Sequence, residues 1–427
     1  LLGMGLPLIP TRGAHHHRPA PPRLSLGRIR PATRSVSDTS PRLAAMSTSD
    51  RLIPFGTTIF TEMTALAAEH DAINLGQGFP NWSGADFVKE AAIESIRDGA
   101  HDQYPPSPGL PALRSAIAER YGALHGRSLD PDTEVTVTSG CTEALAASFL
   151  GLINPGDEVV LIEPFYDAYP ADLALAGGVA RYITLQAPDF LLEEEALRRV
   201  FSPKTKAIVL NTPHNPAGRV FTPEELQVVA DLCQEFDAIV IADEVYEEMT
   251  YGVPHHRIAS LPGMWERTLT LSSLGKSYSL TGWKVGWAVG PAHLTRGIRS
   301  AHQFLTFATP APVQHGAVAA LGAPEEFYEE MRSDYQSKRD LLAGGLSEIG
   351  FDVHVPDGTY FLMAGFSSFG FDDDREFARH LVEKARVAVI PPSAFYETPG
   401  GGTDLIRFAF CKDEETLSEA IDRIRTM

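Results

Sequence analysis

From position 134 onward, short runs rich in Val, Ile and Leu alternate with longer stretches whose apolar residues recur at helical spacing. The runs 134–138, 158–162, 207–211, 238–242 and 268–272 predict strands, and helices between them predict a mostly parallel sheet covered on both faces. Within one interval, Thr222-Pro223-Glu224-Glu225 offers a capping hydroxyl, a proline at the first helical position and a glutamate three residues after the cap. That sequence predicts a helix running to about Phe236. A second pattern begins near Gly316: a long charged helix through Tyr335 and Lys338, then short strands at 359–363 and 405–410. The expected fold is α/β, with a large sheet-and-helix domain at 86–315 and a smaller α+β domain at 316–427. Residues 50–85 are expected to form an N-terminal arm packed with the smaller domain.

Composition narrows the class. The 427 residues are 44% hydrophobic and 21% charged, enough for two sizeable cores. A formal charge of −19 argues against nucleic-acid or anionic-membrane partners, which need clustered cations. Cys141, Cys233 and Cys411 are too few and too scattered for a disulfide framework or a zinc-ligand pattern, so a reducing compartment and no metal are expected. No apolar run approaches the ~20 residues of a spanning helix.

Residues 1–49 differ in kind. They hold seven arginines, no lysine and one acid, Asp38, so the rest of the chain carries −25. Such a segment reads as a plastid or mitochondrial transit peptide, or as sequence lying ahead of a start at Met46.

In open α/β sheets ligands collect at the carboxyl ends of strands. Lys276 follows one such strand; a lysine shielded from water and near other cations, such as Lys284, has a lowered pKa and can attack an aldehyde. A solvated surface lysine is the plainer alternative. Gly275-Lys276-Ser277 is not a P-loop, because Thr270 stands where the first glycine belongs, and the S-x-x-K at Ser273 lacks any K-T-G partner. Asp243 ends the most apolar strand, where a carboxylate could keep a pyridine nitrogen protonated or merely cap a turn. Tyr246 lies in the same turn. Asn215 lies in a turn-rich segment after another strand and could donate to a phenolic oxygen. Gly140, Cys141 and Thr142 join a strand to an Ala-rich helix, a natural phosphate cradle. Gly76-Gln77-Gly78 is no dinucleotide fingerprint, since Asn81 replaces the third glycine. Arg407 interrupts an apolar strand, as a carboxylate grip or an internal ion pair.

Together these segments resemble the pyridoxal-phosphate aminotransferases of fold type I. They are especially similar to the kynurenine aminotransferase, glutamine transaminase K and cysteine-conjugate β-lyase branch. The resemblance rests on Asn74-Leu75-Gly76-Gln77-Gly78-Phe79-Pro80, Pro164-Phe165-Tyr166-Asp167, Asn215-Pro216-Ala217-Gly218 and Thr281-Gly282-Trp283-Lys284-Val285-Gly286-Trp287, and spans roughly residues 51–427. It implies pyridoxal 5′-phosphate joined to Lys276 as a Schiff base, Asp243 at the ring nitrogen, Asn215 and Tyr246 at the phenolic oxygen, and Tyr166 stacked on the ring. Phosphate would be held by Gly140, Cys141, Thr142, Ser273 and Lys284, with Tyr104 reaching over from the partner of a homodimer. Arg407, aided by Asn215 and the Gly76 backbone, would grip the substrate α-carboxylate. Phe60 and Phe307 would line the side-chain pocket, implying an aromatic or sulfur-containing amino acid as donor to a 2-oxo acid. Ala308 stands where some kynurenine enzymes carry histidine. N-succinyldiaminopimelate aminotransferases share much of the pattern, and elimination from cysteine conjugates would use the same lysine.

Overall fold

The computed structural model describes residues 48–99 and 101–427, so the leader expected at 1–49 lies almost wholly outside the described residues. Seven strands form the main sheet: β1 (Val135–Thr138), β2 (Glu158–Glu163), β3 (Val179–Thr184), β4 (Thr205–Asn211), β5 (Ile239–Asp243), β6 (Thr268–Ser273) and β7 (Gly286–Val289). Their order is β1-β7-β6-β5-β4-β2-β3. Every residue of β2, β5 and β6 is buried, because helices cover both faces of the sheet. Removing such Val, Ile and Leu side chains from water contributes about 1.5–3 kcal/mol each.

The sheet is mostly parallel, but β7 runs antiparallel to both β1 and β6. Neither β7 nor β3 is among the five expected strands. At four residues beginning on Gly286, β7 gives too short an apolar signal, and edge strand β3 mixes exposed and half-buried positions along Val-Ala-Arg-Tyr. Gly286 faces Thr138 on one side and Ser273 on the other. A Cβ there would lie 2.5 Å from the Gly140 carbonyl carbon and 2.6 Å from the Cys141 nitrogen, so its bareness admits the start of the helix Gly140–Leu152.

The helix Pro223–Glu235 carries the complete capping box: Thr222 accepts from the Glu225 backbone while the Glu225 carboxylate accepts from Thr222. Gly316 lies inside the helix Ala311–Leu321, which packs on the helices Asp86–Asp98 and Pro111–His125. The Ala-rich run carries that helix through the glycine. The long charged helix follows at Glu325–Ile349. Beyond it lies a three-stranded antiparallel sheet of β8 (Asp352–His354), β9 (Phe361–Gly365) and β10 (Leu405–Ala409), with β9 in the middle.

The N-terminal segment is tied to the same end of the chain. Ile73–Asn74 pairs with Val387–Ala388 in a separate two-stranded sheet, and the Ala409 N–H of β10 donates to the Leu75 carbonyl at 2.7 Å. The helix Ile59–Glu69, capped by Thr58, thereby brings Phe60 against Phe395 with ring centroids 5.8 Å apart. Lys338, paired with Asp334, lies 3.9 Å over the Trp82 ring. Cys141, Cys233 and Cys411 are free and buried. Among the described residues no helix is long and apolar enough to cross a membrane.

Candidate active site

Strand register sets the site. Asn211 at the end of β4 is level with Asp243 at the end of β5, and Asp243 with Leu271 on β6. The turns leaving these strands therefore open at one height, around a cavity of about 240 Å³. Its lining includes Gly140, Cys141, Thr142, Tyr166, Asn215, Asp243, Tyr246, Ser273, Lys276, Lys284, Phe60 and Arg407.

At one end, Lys284 Nζ donates to Thr142 Oγ1 at 3.1 Å, beside the first turn of the helix Gly140–Leu152. The leading N–H groups of a helix have no intrahelical partner, so cation and helix terminus together favour an anion. Gly140 has φ +78°, and a Cβ on it would lie 3.2 Å from Lys284 Cε. Lys284 itself adopts φ +52°, an uncommon backbone for a side-chain-bearing residue. Glu143 accepts from the Ser139 N–H at 2.7 Å and bonds His302 Nδ1 at 2.7 Å, while His302 Nε2 meets the Ser107 carbonyl at 2.8 Å.

At the other end Asp243 is buried. Its Oδ2 accepts from the Tyr169 hydroxyl at 2.7 Å and its Oδ1 faces Cys141 Sγ at 3.6 Å. Burial pushes its carboxyl above the usual range, with these donors and Lys276 opposing the shift. Asn211 braces the neighbouring turn: its amide donates to the Asp243 carbonyl at 2.8 Å and its Oδ1 accepts from the Asn215 N–H at 2.7 Å. Lys276 lies between the two ends, and burial pulls its amine below the ordinary lysine value. Its Nζ donates to the Tyr360 hydroxyl at 3.0 Å.

Arg407 on β10 is 1% exposed, although no carboxylate bonds it among the described residues. Nη1 donates to Asn215 Oδ1 at 3.2 Å, Nη2 to the Gly76 carbonyl at 2.9 Å, and Nε has no partner. The guanidinium lies 4.0 Å over Phe361 and 5.2 Å over each of Phe60 and Phe395. Burial pushes its pKa down to about 10. A buried cation with no carboxylate bonded to it, only the Asp167 charge further off, is costly, and an entering carboxylate would reduce that cost.

Two expected residues lie elsewhere. Tyr104 is 86% exposed and Phe307 47% exposed; they meet edge to face at 5.4 Å and neither lines the cavity. Four residues that complete the site are absent from the sequence-based expectation. Tyr169 follows Tyr166 by one helical turn, a spacing that could have flagged it. Tyr360 and Phe361 give no local sign, since Lys276 and Arg407 come from distant segments, and Asn211 is tied both to Asn215 in its own turn and to the distant Asp243.

An anion cradle, a buried acid and a depressed lysine in one cleft, with a free guanidinium beside them, define a site for an amine-carrying enzyme of the α/β class. Residues 70–424 match the family described as aminotransferase class I and II, and the chain belongs to that family. It is similar to the solved structure of N-succinyldiaminopimelate aminotransferase from Mycobacterium tuberculosis, with TM-score 0.87 and 45% identity over 89% of this chain and 100% of that one. The methionine aminotransferase YbdL of Escherichia coli superimposes with TM-score 0.85 at 39% identity, covering 89% of this chain and 99% of that one. A kynurenine–oxoglutarate transaminase of Dictyostelium discoideum is 40% identical across 87% of this chain and 94% of its own length.

The protein is a pyridoxal-phosphate-dependent aminotransferase acting on amino acids and 2-oxo acids. The residues present fit that cofactor. A Cβ at Gly140 would crowd the cradle where a phosphate belongs, and the buried acid and the lysine suit a ring nitrogen and an aldehyde.

Proposed function

We propose that the chain moves the α-amino group of an amino acid with an uncharged aromatic or sulfur-containing side chain to a 2-oxo acid. The observation that carries this reading is the number of cations lining the cavity. Lys276, Lys284 and Arg407 are the cationic side chains there, and the first two are committed to the cofactor's aldehyde and phosphate. Arg407 remains for the α-carboxylate, with Asn215 Oδ1 and the Gly76 carbonyl orienting its fork. No cation of this chain's lining is left for a distal acid, and Phe60 and Phe361 supply apolar walls.

When bound, the cofactor supplies an electron sink that makes the substrate Cα–H acidic. Asp243 would keep the ring nitrogen protonated, with Tyr169 donating to that carboxylate. Asn215, whose Oδ1 accepts from Arg407, would turn its amide hydrogens toward the phenolic oxygen, together with the Tyr246 hydroxyl. Tyr166 would cover the ring face. Gly140, Cys141, Thr142, Ser273 and Lys284 would hold the phosphate. Lys276 would take the proton from Cα and return it on the same face.

Tyr104 and Phe307, exposed together on one surface, support a homodimer in which Tyr104 completes the partner's phosphate site and Phe307 its substrate pocket. Mixing Lys276→Ala with Tyr104→Ala protomers tests this: heterodimers should regain one working site, and no recovery would reject sharing. The two sheets support a division into a large and a smaller domain joined by the N-terminal arm, and the Arg-rich leader supports delivery to a plastid or mitochondrion.

A second reading, N-succinyldiaminopimelate as donor, is favoured by the 45% identity to the Mycobacterium enzyme. A donor screen read by cofactor absorbance separates the two. Methionine, phenylalanine, kynurenine and glutamine should exceed N-succinyldiaminopimelate in kcat/KM, and the reverse order would overturn the proposal. Pyruvate and ammonia formed from a cysteine conjugate without any acceptor would instead indicate elimination.

A further inference from the structure

Tyr360 touches the atom on which the chemistry turns, and its surroundings leave it little freedom. Its hydroxyl donates to the Gly78 carbonyl, so an oxygen lone pair is what it offers to Lys276 Nζ, 3.0 Å away. Its ring is wedged edge-on against Tyr246 and Phe361, with centroids 5.3 and 4.9 Å distant, and is fully buried. The preceding residue, Thr359, has φ +64°, a backbone that β-branched residues avoid. Three bonds fasten it there: its N–H donates to the Met249 carbonyl at 3.0 Å, its carbonyl accepts from the Tyr251 hydroxyl, and its Oγ1 accepts from the Phe361 N–H at 3.1 Å. Strained backbone held from several sides is a mark of preorganisation. The same turn sets Phe361 under the Arg407 guanidinium at 4.0 Å. One short segment thus fixes both the amine and the carboxylate grip.

We propose that the Tyr360 hydroxyl is the seat of the Lys276 amine whenever that amine is free, fixing the direction from which it meets aldehyde or Cα. The inference rests on Lys276 being the cofactor-bearing lysine. No proton leaves the phenol: Tyr360 keeps its own on Gly78 and accepts one N–H of the amine. Other titratable groups facing Lys276 are Cys411 and Arg407 from the β10 segment, Asp243 from β5, Cys141 from the cradle helix, and Tyr246, whose ring centroid lies 5.5 Å from Nζ. None of these is bonded to Nζ.

The test is the rate at which full-length protein, stripped of cofactor, captures added pyridoxal phosphate covalently, followed by absorbance across pH. Capture is fixed with borohydride and the adduct mapped by mass spectrometry. An acceptor favours ammonium over neutral amine, so Tyr360→Phe should move the midpoint of capture down by about one pH unit. Lost orientation should lower the plateau about tenfold. A lesion of packing alone would lower the plateau without moving the midpoint, and that result, or an unchanged profile, overturns the proposal. Should the Phe variant fail to fold by circular dichroism, Thr359→Gly decides. It keeps the hydroxyl but frees the turn, so a several-fold lower plateau supports the inference and an unaltered one rejects it. Wild-type protein with no adduct on Lys276 would sink the lysine assignment itself, whereas a wild-type adduct with variants indistinguishable from it sinks this inference alone.

Discussion

The hydroxyl of Tyr169 donates to Asp243 Oδ2 at 2.7 Å, across 74 residues of sequence, with both side chains buried at the floor of the cavity. A buried carboxylate needs such donors to stay ionised, and here they only partly offset burial, since the Asp243 pKa still lies above its usual value. With a raised pKa, the folded state without cofactor binds the proton more readily than the unfolded chain. Stability from this group is therefore complete below the ordinary Asp pKa and falls as pH rises through the folded value. Cofactor-free Asp243→Asn should melt at or above the wild-type temperature at pH 7, while the cofactor-loaded variant should turn over about 10²–10³-fold more slowly than loaded wild type. A variant both less stable and fully active would contradict this role.

Arg407 presents the same logic with the opposite charge. Arg407→Met should leave melting temperature unchanged or higher, because a buried cation lacking a carboxylate is replaced by an apolar chain. Two charge-assisted hydrogen bonds to substrate would be lost, which at about 1.5–3 kcal/mol each raises KM for amino acids by 10²-fold or more. Arg407→Lys should recover only part of this, since an ammonium cannot bond bidentately. Steady-state kinetics with one donor decides it; an unchanged KM would place the carboxylate elsewhere.

Gly140→Ala combines a backbone penalty at φ +78° with a contact 3.2 Å from Lys284 Cε. A left-handed conformation costs a side-chain-bearing residue about 1–2 kcal/mol. Cofactor affinity, measured by fluorescence titration, should weaken about tenfold. Equal affinity would mean that the cradle is not where phosphate binds.

How much of this was legible beforehand depended on how local each signal was. The Thr222 capping box, the apolar β5 and the turn at Asn215 announce themselves within a few residues, and each appears where its sequence indicates. Lys276, Asp243 and Arg407 are written as charges at the ends or middles of apolar runs. Strand β7 was hidden because four residues starting with glycine carry too little pattern, and β3 because an edge strand with half-exposed positions resembles a loop. Tyr360 was invisible for another reason: its meaning lies in Lys276, 84 positions earlier, and in a strained Thr359 that composition cannot reveal. Phe307 is a pocket residue by the family resemblance, and within one chain it is half exposed and packed on Tyr104.

His302 gives the fold its own pH dependence. Both ring nitrogens face acceptors, Glu143 Oε1 at 2.7 Å and the Ser107 carbonyl at 2.8 Å, so the geometry calls for imidazolium. Burial opposes that charge, but the Glu143 carboxylate outweighs it and the pKa is raised. Its stabilisation is thus fully present below the ordinary imidazole value of about 6.5 and lost as pH climbs through the folded one. His302→Gln should melt several degrees lower at pH 6 and converge on wild type toward pH 9. Parallel curves would show that the ring stays neutral.

The placing of the Arg407 fork, bonded only to neutral oxygens, has a practical side. Any small organic acid in solution can settle on it, so acetate, formate or citrate carried from purification would act as a competitive blocker. Such a blocker divides kcat/KM of every amino donor by one common factor. The ranking of amino donors would survive it, but their absolute constants would be trustworthy only in chloride.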